Sequence, residues 1–296
     1  MQKYKKVWIL YTAGFSIALA IVFLGFSDNA VLSDQQVDKP FFQVAFFAII
    51  LAPIIEELMF RGYFSSQKYL KWVSIILLPI FVILISTHSA VILLLASIYV
   101  LMLLYLKFKK LLLENLIIIC SALLFSILHF QTEDFNQLFS LYPIMFLFAS
   151  GLLAIWITLN FGLVKAIIFH FLWNLAIMSA VFFALQNPDI KANKFENETI
   201  VIEWERSPLV NTNSNGISYS KEKLIANSIT LNNLLSFVNQ VELNKDLNNE
   251  YYQTEVFMKY NFKIYLKDST KTLSKPITEY FKNQKLLEYK YSMIEF

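Results

Sequence analysis

The stretch FFQVAFFAIILAPIIEELMFRG, residues 41–62, decides how the chain is read. From Phe41 to Ile55 only Gln43 is polar. An apolar run continuing to Phe60 is about 20 residues long, the length a helix needs to cross a bilayer. At its end stand Glu56, Glu57 and Arg61. Ionisable groups in such a run are costly and face a partner or a cavity. Glu57 and Arg61 are four apart, so on a helix they stack on one face and can pair. Glu56 points about 100° away and is left for other work. Read alone, the three residues fit equally well as interfacial groups that fix a helix end.

Working outward, seven apolar stretches are readable: 7–26, 41–60, 72–87, 89–106, 113–130, 138–160 and 163–185. The third and fourth are joined at Ser86-Thr87-His88-Ser89, a tight-turn sequence. The first follows Lys3, Lys5 and Lys6 but is too long, and too poor in small residues at its end, for a cleaved signal, so it is read as a retained span. The 296 residues are 57% hydrophobic and 16% charged, against roughly 45–50% and about 25% in ordinary globular chains. This composition excludes a disordered chain. A single cysteine, Cys120, excludes a disulfide-stapled one. The formal charge of +3 gives no reason to expect a nucleic-acid partner.

Charge divides the chain. Residues 1–186 hold 11 Lys/Arg and 8 Asp/Glu; residues 187–296 hold 14 of each. With the N-terminus in the cytoplasm and the spans alternating, every basic residue of the first part except Lys39 falls on the cytoplasmic side. Asp28, Asp34, Asp38, Glu133 and Asp134 fall outside. That is the positive-inside pattern, and seven spans then put residues 187–296 outside. The expected fold class is an all-α polytopic membrane bundle of about seven transmembrane helices, residues 1–186, followed by a small α+β soluble domain, residues 187–296. In the latter, 199–204, 251–266 and 288–296 read as strands, and 228–241 and 277–287 as helices. The expected location is the plasma (inner) membrane, with the lipid bilayer as an obligatory partner.

Two further polar clusters interrupt the apolar stretches. Phe125 and His129 are four apart in the fifth, and His170 and Asn174 four apart in the seventh. Each pair shares one helix face. A lone membrane histidine often serves only to bond neighbouring helices. His170 with Asn174 is harder to read that way, because two polar groups face one place. His88, at the turn, has no such company and is read as structural.

Glu-Glu-x-x-x-Arg, then Phe-x-x-x-His, then His-x-x-x-Asn, in this order on apolar helices, resembles the CPBP family of intramembrane proteases. These are the type II CAAX prenyl endopeptidases and their bacterial relatives, also called Abi proteins. Gly151 and Asn160-Phe161-Gly162 add to the likeness, which spans residues 41–185. The family usually places its second motif a few tens of residues after the first, whereas 71 residues separate Glu57 from His129 here. The excess matches the 72–106 hairpin, and two extra spans leave the facing of the motifs unchanged.

The resemblance implies an intramembrane endopeptidase acting on a membrane-associated protein or peptide, lipidated or not. It implies Glu56 as general base, His129 as holder of the water, His170 and Asn174 as oxyanion stabilisers, and Glu57, Arg61 and Phe125 as supporting groups. No metal is expected, since Glu56 cannot easily be both ligand and base. The alternative is one divalent ion, zinc, on Glu56, His129 and His170. Two other functions compete: a non-catalytic immunity or scaffold protein of the same fold, and a proton-coupled transporter.

Depth sets a condition. A fifth span entering at Leu113 would carry His129 about 24 Å down. Lys109–Leu116 is therefore expected to lie in the interface, with the buried stretch beginning near Ile117. A His129 ring more than about 12 Å from the Glu56 carboxylate would make contact through one water untenable.

Overall fold

A computed structural model describes residues 5–25, 40–85, 89–129, 141–189, 191–211, 216–220, 222–243, 252–254, 257–267, 273–284 and 286–289. Residues 86–88 of the expected turn, His88 among them, and the last seven residues of the expected C-terminal strand lie outside them. The chain forms two compact units. One comprises Met1–Gln35 and Ala45–Leu175, the other Gln36–Val44 and Ala176–Phe296.

A helix overlaps each of the seven apolar stretches. They are α1 (Trp8–Gly25), α2 (Phe41–Phe46) with a π turn (Phe47–Leu51) running into α3 (Ala52–Arg61), α4 (Lys68–Ile85), α5 (Ser89–Phe108), α6 (Leu111–Ile127), α7 (Leu141–Phe161) and α8 (Leu163–Gln186). Among the described residues, four are long and apolar enough to cross a membrane: Phe41–Phe64, Ser89–Phe108, Leu141–Phe161 and Leu163–Gln186. In the first unit, Ile9, Phe60, Ile98, Ile117, Leu124 and Leu152 are buried together. Tyr11, Leu84, Leu93 and Val164 point outward although apolar. Helices that are apolar all round are at home only where the surroundings are apolar as well.

Most of Lys109–Leu116, the segment expected in the interface, is the first turn and a half of α6. From Leu111 it is continuous with the rest of α6, capped by Lys110. Its polar residues meet the N-terminal segment: Lys6 Nζ lies 3.0 Å from Glu114 Oε2 and donates to Asn115 Oδ1 at 2.9 Å. The fifth stretch also stops short of the expected residue 130. α6 ends at Ile127, and Leu128 and His129 form a turn.

Beyond α8, the described residues of the second unit form a five-stranded antiparallel sheet, a two-stranded one and two helices. Its elements are β1 (Asn193–Glu196), β2 (Ile200–Ser207), β3 (Gly216–Tyr219), β4 (Lys223–Ile229), α9 (Leu231–Leu243), β5 (Tyr252–Thr254), β6 (Lys259–Leu266), α10 (Ser274–Asn283) and β7 (Leu287–Tyr289). The large sheet runs β1-β2-β6-β4-β3, and β5 pairs with β7. Alternation along the strands buries Ile200, Ile202, Leu224, Phe262 and Ile264 against Leu234 and Phe281 of the helices. The expected long strand 251–266 is two strands, with Phe257 between them at φ 63. The expected helix 277–287 begins at Ser274 and ends at Asn283. The rings of Phe41 and Phe182, at the ends of α2 and α8, lie within 6.0 Å of each other, and Phe257 lies 5.3 Å from Phe41.

Candidate active site

The acidic pair sits on α3, and three features hold that helix. The π turn before it shifts the backbone ladder, so that Ala52 N–H donates to the Phe47 carbonyl. Such turns recur at functional sites. At the other end, Ser74 of α4 donates to the Met59 carbonyl and Ser121 of α6 to the Phe60 carbonyl at 3.3 Å. These hydroxyls satisfy carbonyls that a helix end leaves without partners.

Glu57 is fully buried and Arg61 nearly so, with Arg61 Nη1 3.4 Å from Glu57 Oε1. The Arg61 guanidinium lies 4.0 Å from the centre of the Phe125 ring and 5.6 Å from that of Phe60. A cation over aromatic faces gains from their negative quadrupole, more so when desolvated. Phe125 is placed by close helix packing. A Cβ on Gly151 of α7 would meet Ala122 Cα and Phe125 Cδ1, each at 3.3 Å, so any larger residue there requires Phe125 or the α6 backbone to give by a few tenths of an ångström.

Phe125 in turn orients His129. Its carbonyl lies 2.7 Å from His129 Nδ1, and the two rings are 4.7 Å apart. A carbonyl can only accept, so Nδ1 carries the hydrogen and the neutral ring presents a bare Nε2. Ser126 Oγ donates to Ile144 O at 2.6 Å and fixes the start of this turn to α7.

His170 comes from α8, which follows a turn at Gly162, φ 89, a conformation open to glycine at no steric cost. His170 Nδ1 lies 2.9 Å from Glu57 Oε1. The carboxylate that faces Arg61 therefore also anchors one nitrogen of His170. The other nitrogens of both histidines converge. His129 Nε2 lies 4.0 Å and His170 Nε2 3.9 Å from the same oxygen, Glu56 Oε2. These separations are too long for a direct hydrogen bond and suit a single bridging water. The His129 side chain is 37% exposed, against 14% for His170, so the open side of the group is at His129.

Six of the seven residues singled out from the sequence thus touch one another in sequence: Arg61, Glu57, His170, Glu56 and His129, with Phe125 against Arg61 and His129. The distance condition set for His129 is met, because 4.0 Å is far inside the 12 Å bound. Asn174 goes elsewhere: its Nδ2 donates to the Ala48 carbonyl in the π turn at 2.7 Å. Sequence reading missed Ser74, Ser121 and Pro53. Pro53, three residues before Glu56 inside an apolar run, was the one visible signal. Among the described residues, no group of three His, Cys, Asp or Glu stands at distances that would hold a metal ion.

A family model described as Type II CAAX prenyl endopeptidase Rce1-like matches residues 38–176. The matched segment contains all seven residues and agrees with the family resemblance carried by the three motifs. No curated protein and no solved structure matches the chain.

Proposed function

We propose, from the premise that residues 38–176 belong to the Rce1-like family of type II CAAX prenyl endopeptidases, that this integral membrane protein hydrolyses a peptide bond by water activated at Glu56. The observation that carries the reading is the convergence of His129 Nε2 and His170 Nε2 on Glu56 Oε2 at 4.0 and 3.9 Å. Both imidazoles have the other nitrogen engaged, so their orientation does not depend on the substrate.

A water in that space donates one hydrogen to Glu56 Oε2 and the other to the bare Nε2 of His129. Glu56 takes the proton as the water oxygen bonds to the substrate carbonyl carbon. The tetrahedral intermediate carries its negative charge on the former carbonyl oxygen. His170 can donate to that oxygen from Nε2 only as the imidazolium, because Nδ1–H is already held by Glu57. Collapse of the intermediate breaks the C–N bond, and the leaving amine takes the proton from Glu56. Glu57 and Arg61 hold His170 and the helix in place.

The proposed route runs without a metal. In tetrahedral zinc, ligands bound at 2.0–2.1 Å lie about 3.4 Å apart, closer than the nitrogen–oxygen separations here. The proposed substrate is a protein or peptide at the membrane. The proposed orientation places the N-terminus in the cytoplasm and the C-terminal α+β unit outside.

The test is hydrolysis of membrane-anchored peptides, prenylated and unprenylated, by purified protein in proteoliposomes. Glu56→Gln and His170→Ala are each expected to lower cleavage at least about 100-fold, with Glu56→Gln folding normally. Equal cleavage by all three proteins would end the peptidase reading. Cleavage of only one peptide class would name the substrate.

A further inference from the structure

Pro53 stands at the second position of α3 and has no backbone N–H. Immediately before it the π turn sets the ladder to five-residue steps, Ala52 N–H to Phe47 O. The next step would join residue 53 to the Ala48 carbonyl, and Pro53 cannot make it. The Ala48 carbonyl accepts instead from Asn174 Nδ2, at 2.7 Å. A carboxamide from α8 therefore stands where the missing backbone donor would be. A carbonyl left without a donor inside an apolar helix is costly, and proline-broken membrane helices persist where a neighbour satisfies the freed group.

α8 thus holds the Glu-bearing helix at two points. His170 bonds Glu57, and Asn174, one turn later, bonds Ala48. The order runs oppositely along the two helices, as it must for antiparallel neighbours. The first tie fixes an imidazole against the acidic pair. The second fixes the backbone from which α3 springs.

We propose that Asn174 is a positioning residue. It replaces the hydrogen bond that Pro53 deletes, and so sets the register of the helix bearing Glu56 and Glu57 against the helix bearing His170. The activity readout rests on the proposed hydrolysis; the stability readout below does not. Direct action of Asn174 on the oxyanion, the role implied by family resemblance, is the competing outcome.

The distinguishing experiment is a double-mutant cycle on the full-length purified protein with Asn174→Ala and Pro53→Ala. An alanine at position 53 restores a backbone N–H for the Ala48 carbonyl. With Pro53 present, Asn174→Ala is expected to lower kcat about 10–100-fold, with KM little changed. With alanine at 53, the same change is expected to cost less than about threefold. An equal loss in both backgrounds means that Asn174 acts on the substrate itself and overturns the proposal, as does full activity of Asn174→Ala alone.

If Pro53→Ala is itself inactive, or no variant hydrolyses peptide, the cycle is read in thermal unfolding. Asn174→Ala is expected to lower Tm with Pro53 and to leave it unchanged with alanine at 53. Equal Tm losses overturn the proposal. Inactivity throughout, with the Tm coupling intact, sinks the peptidase reading and leaves this one standing.

Discussion

His170 Nδ1 lies 2.9 Å from Oε1 of Glu57, the same carboxylate oxygen that Arg61 Nη1 approaches at 3.4 Å. One buried oxygen therefore serves two partners from different helices. The second oxygen, Oε2, is buried with no hydrogen-bond partner among the described residues. The acidic pair divides its work: Glu56 faces the space where water would sit, and Glu57 holds the groups around it.

That division predicts different consequences for the two carboxylates. Glu56→Gln should remove about 10²–10⁴-fold of rate, the usual worth of a positioned base, and leave the thermal midpoint near that of the parent. Glu57→Ala should lower both rate and stability. It strands Arg61 as an uncompensated buried cation, a change that costs about 3–5 kcal/mol. Comparing Tm and single-turnover rates for the pair tests the assignment. Equal Tm for Glu57→Ala and the parent would mean that the buried pair holds nothing in place.

Gly151 predicts a packing effect that reaches the site. A Cβ there would meet Ala122 Cα and Phe125 Cδ1, each at 3.3 Å. Gly151→Val forces α6 from α7 or turns Phe125, and overpacking of this kind costs about 1–3 kcal/mol. Phe125 supports the Arg61 guanidinium and orients His129, so the rate should fall further than the stability loss accounts for. Measuring kcat well below the midpoint of thermal unfolding separates the two effects. A variant with lowered Tm and unchanged kcat would show that Phe125 does not transmit the strain.

The polar groups were legible because apolar helices make them conspicuous. Glu56, Glu57, Arg61, His129 and His170 each break a run of residues that bilayer burial explains. What was not legible depends on register between distant segments. Asn174 and Ala48 are 126 residues apart, and no local pattern announces a π turn at Phe47–Leu51. In the C-terminal unit, β1 and β3 are four residues each, and β1 carries Lys194 and Glu196 on its exposed side. Strands so short show too little alternation to read. The expected helix at 228 begins only at Leu231 because β4 reaches Ile229, with Ser228 at φ 52 in an irregular step of the pairing with β6. α10 begins before the expected residue because Pro276 lies in its first turn, a start signal the apolar pattern alone overlooks.

The seven-span topology makes a prediction about the second unit. Among the described residues, four helices meet the length and composition for a crossing, and all the basic residues of 1–186 except Lys39 would gather on one side if all seven crossed. A phosphatase that works only outside the cytoplasm, fused after Phe296, should then be active, and a reporter that matures only inside should be silent. The reverse pattern would require an even number of crossings. Fusions after Lys68 and Lys109 should both report the cytoplasm and would locate any span miscounted between them.

Metal dependence can be decided by chemistry at the same three side chains. Two imidazoles and a carboxylate are a donor set that zinc accepts, and the ring nitrogens away from Glu56 are held by Phe125 O and Glu57, as the outer partners of metal-bound histidines often are. Ligands on one tetrahedral ion would nevertheless have to draw about 0.5 Å closer than the 3.9 and 4.0 Å separations here. With His129 tied to the Phe125 carbonyl and His170 to buried Glu57, that movement strains both anchors. Prolonged treatment with a strong chelator should therefore leave the rate within about twofold of the untreated enzyme, a change worth less than about 0.5 kcal/mol. Loss of activity restored by stoichiometric zinc, but not by magnesium, would move Glu56 from base to ligand. The base would then have to be sought among the remaining groups at the site.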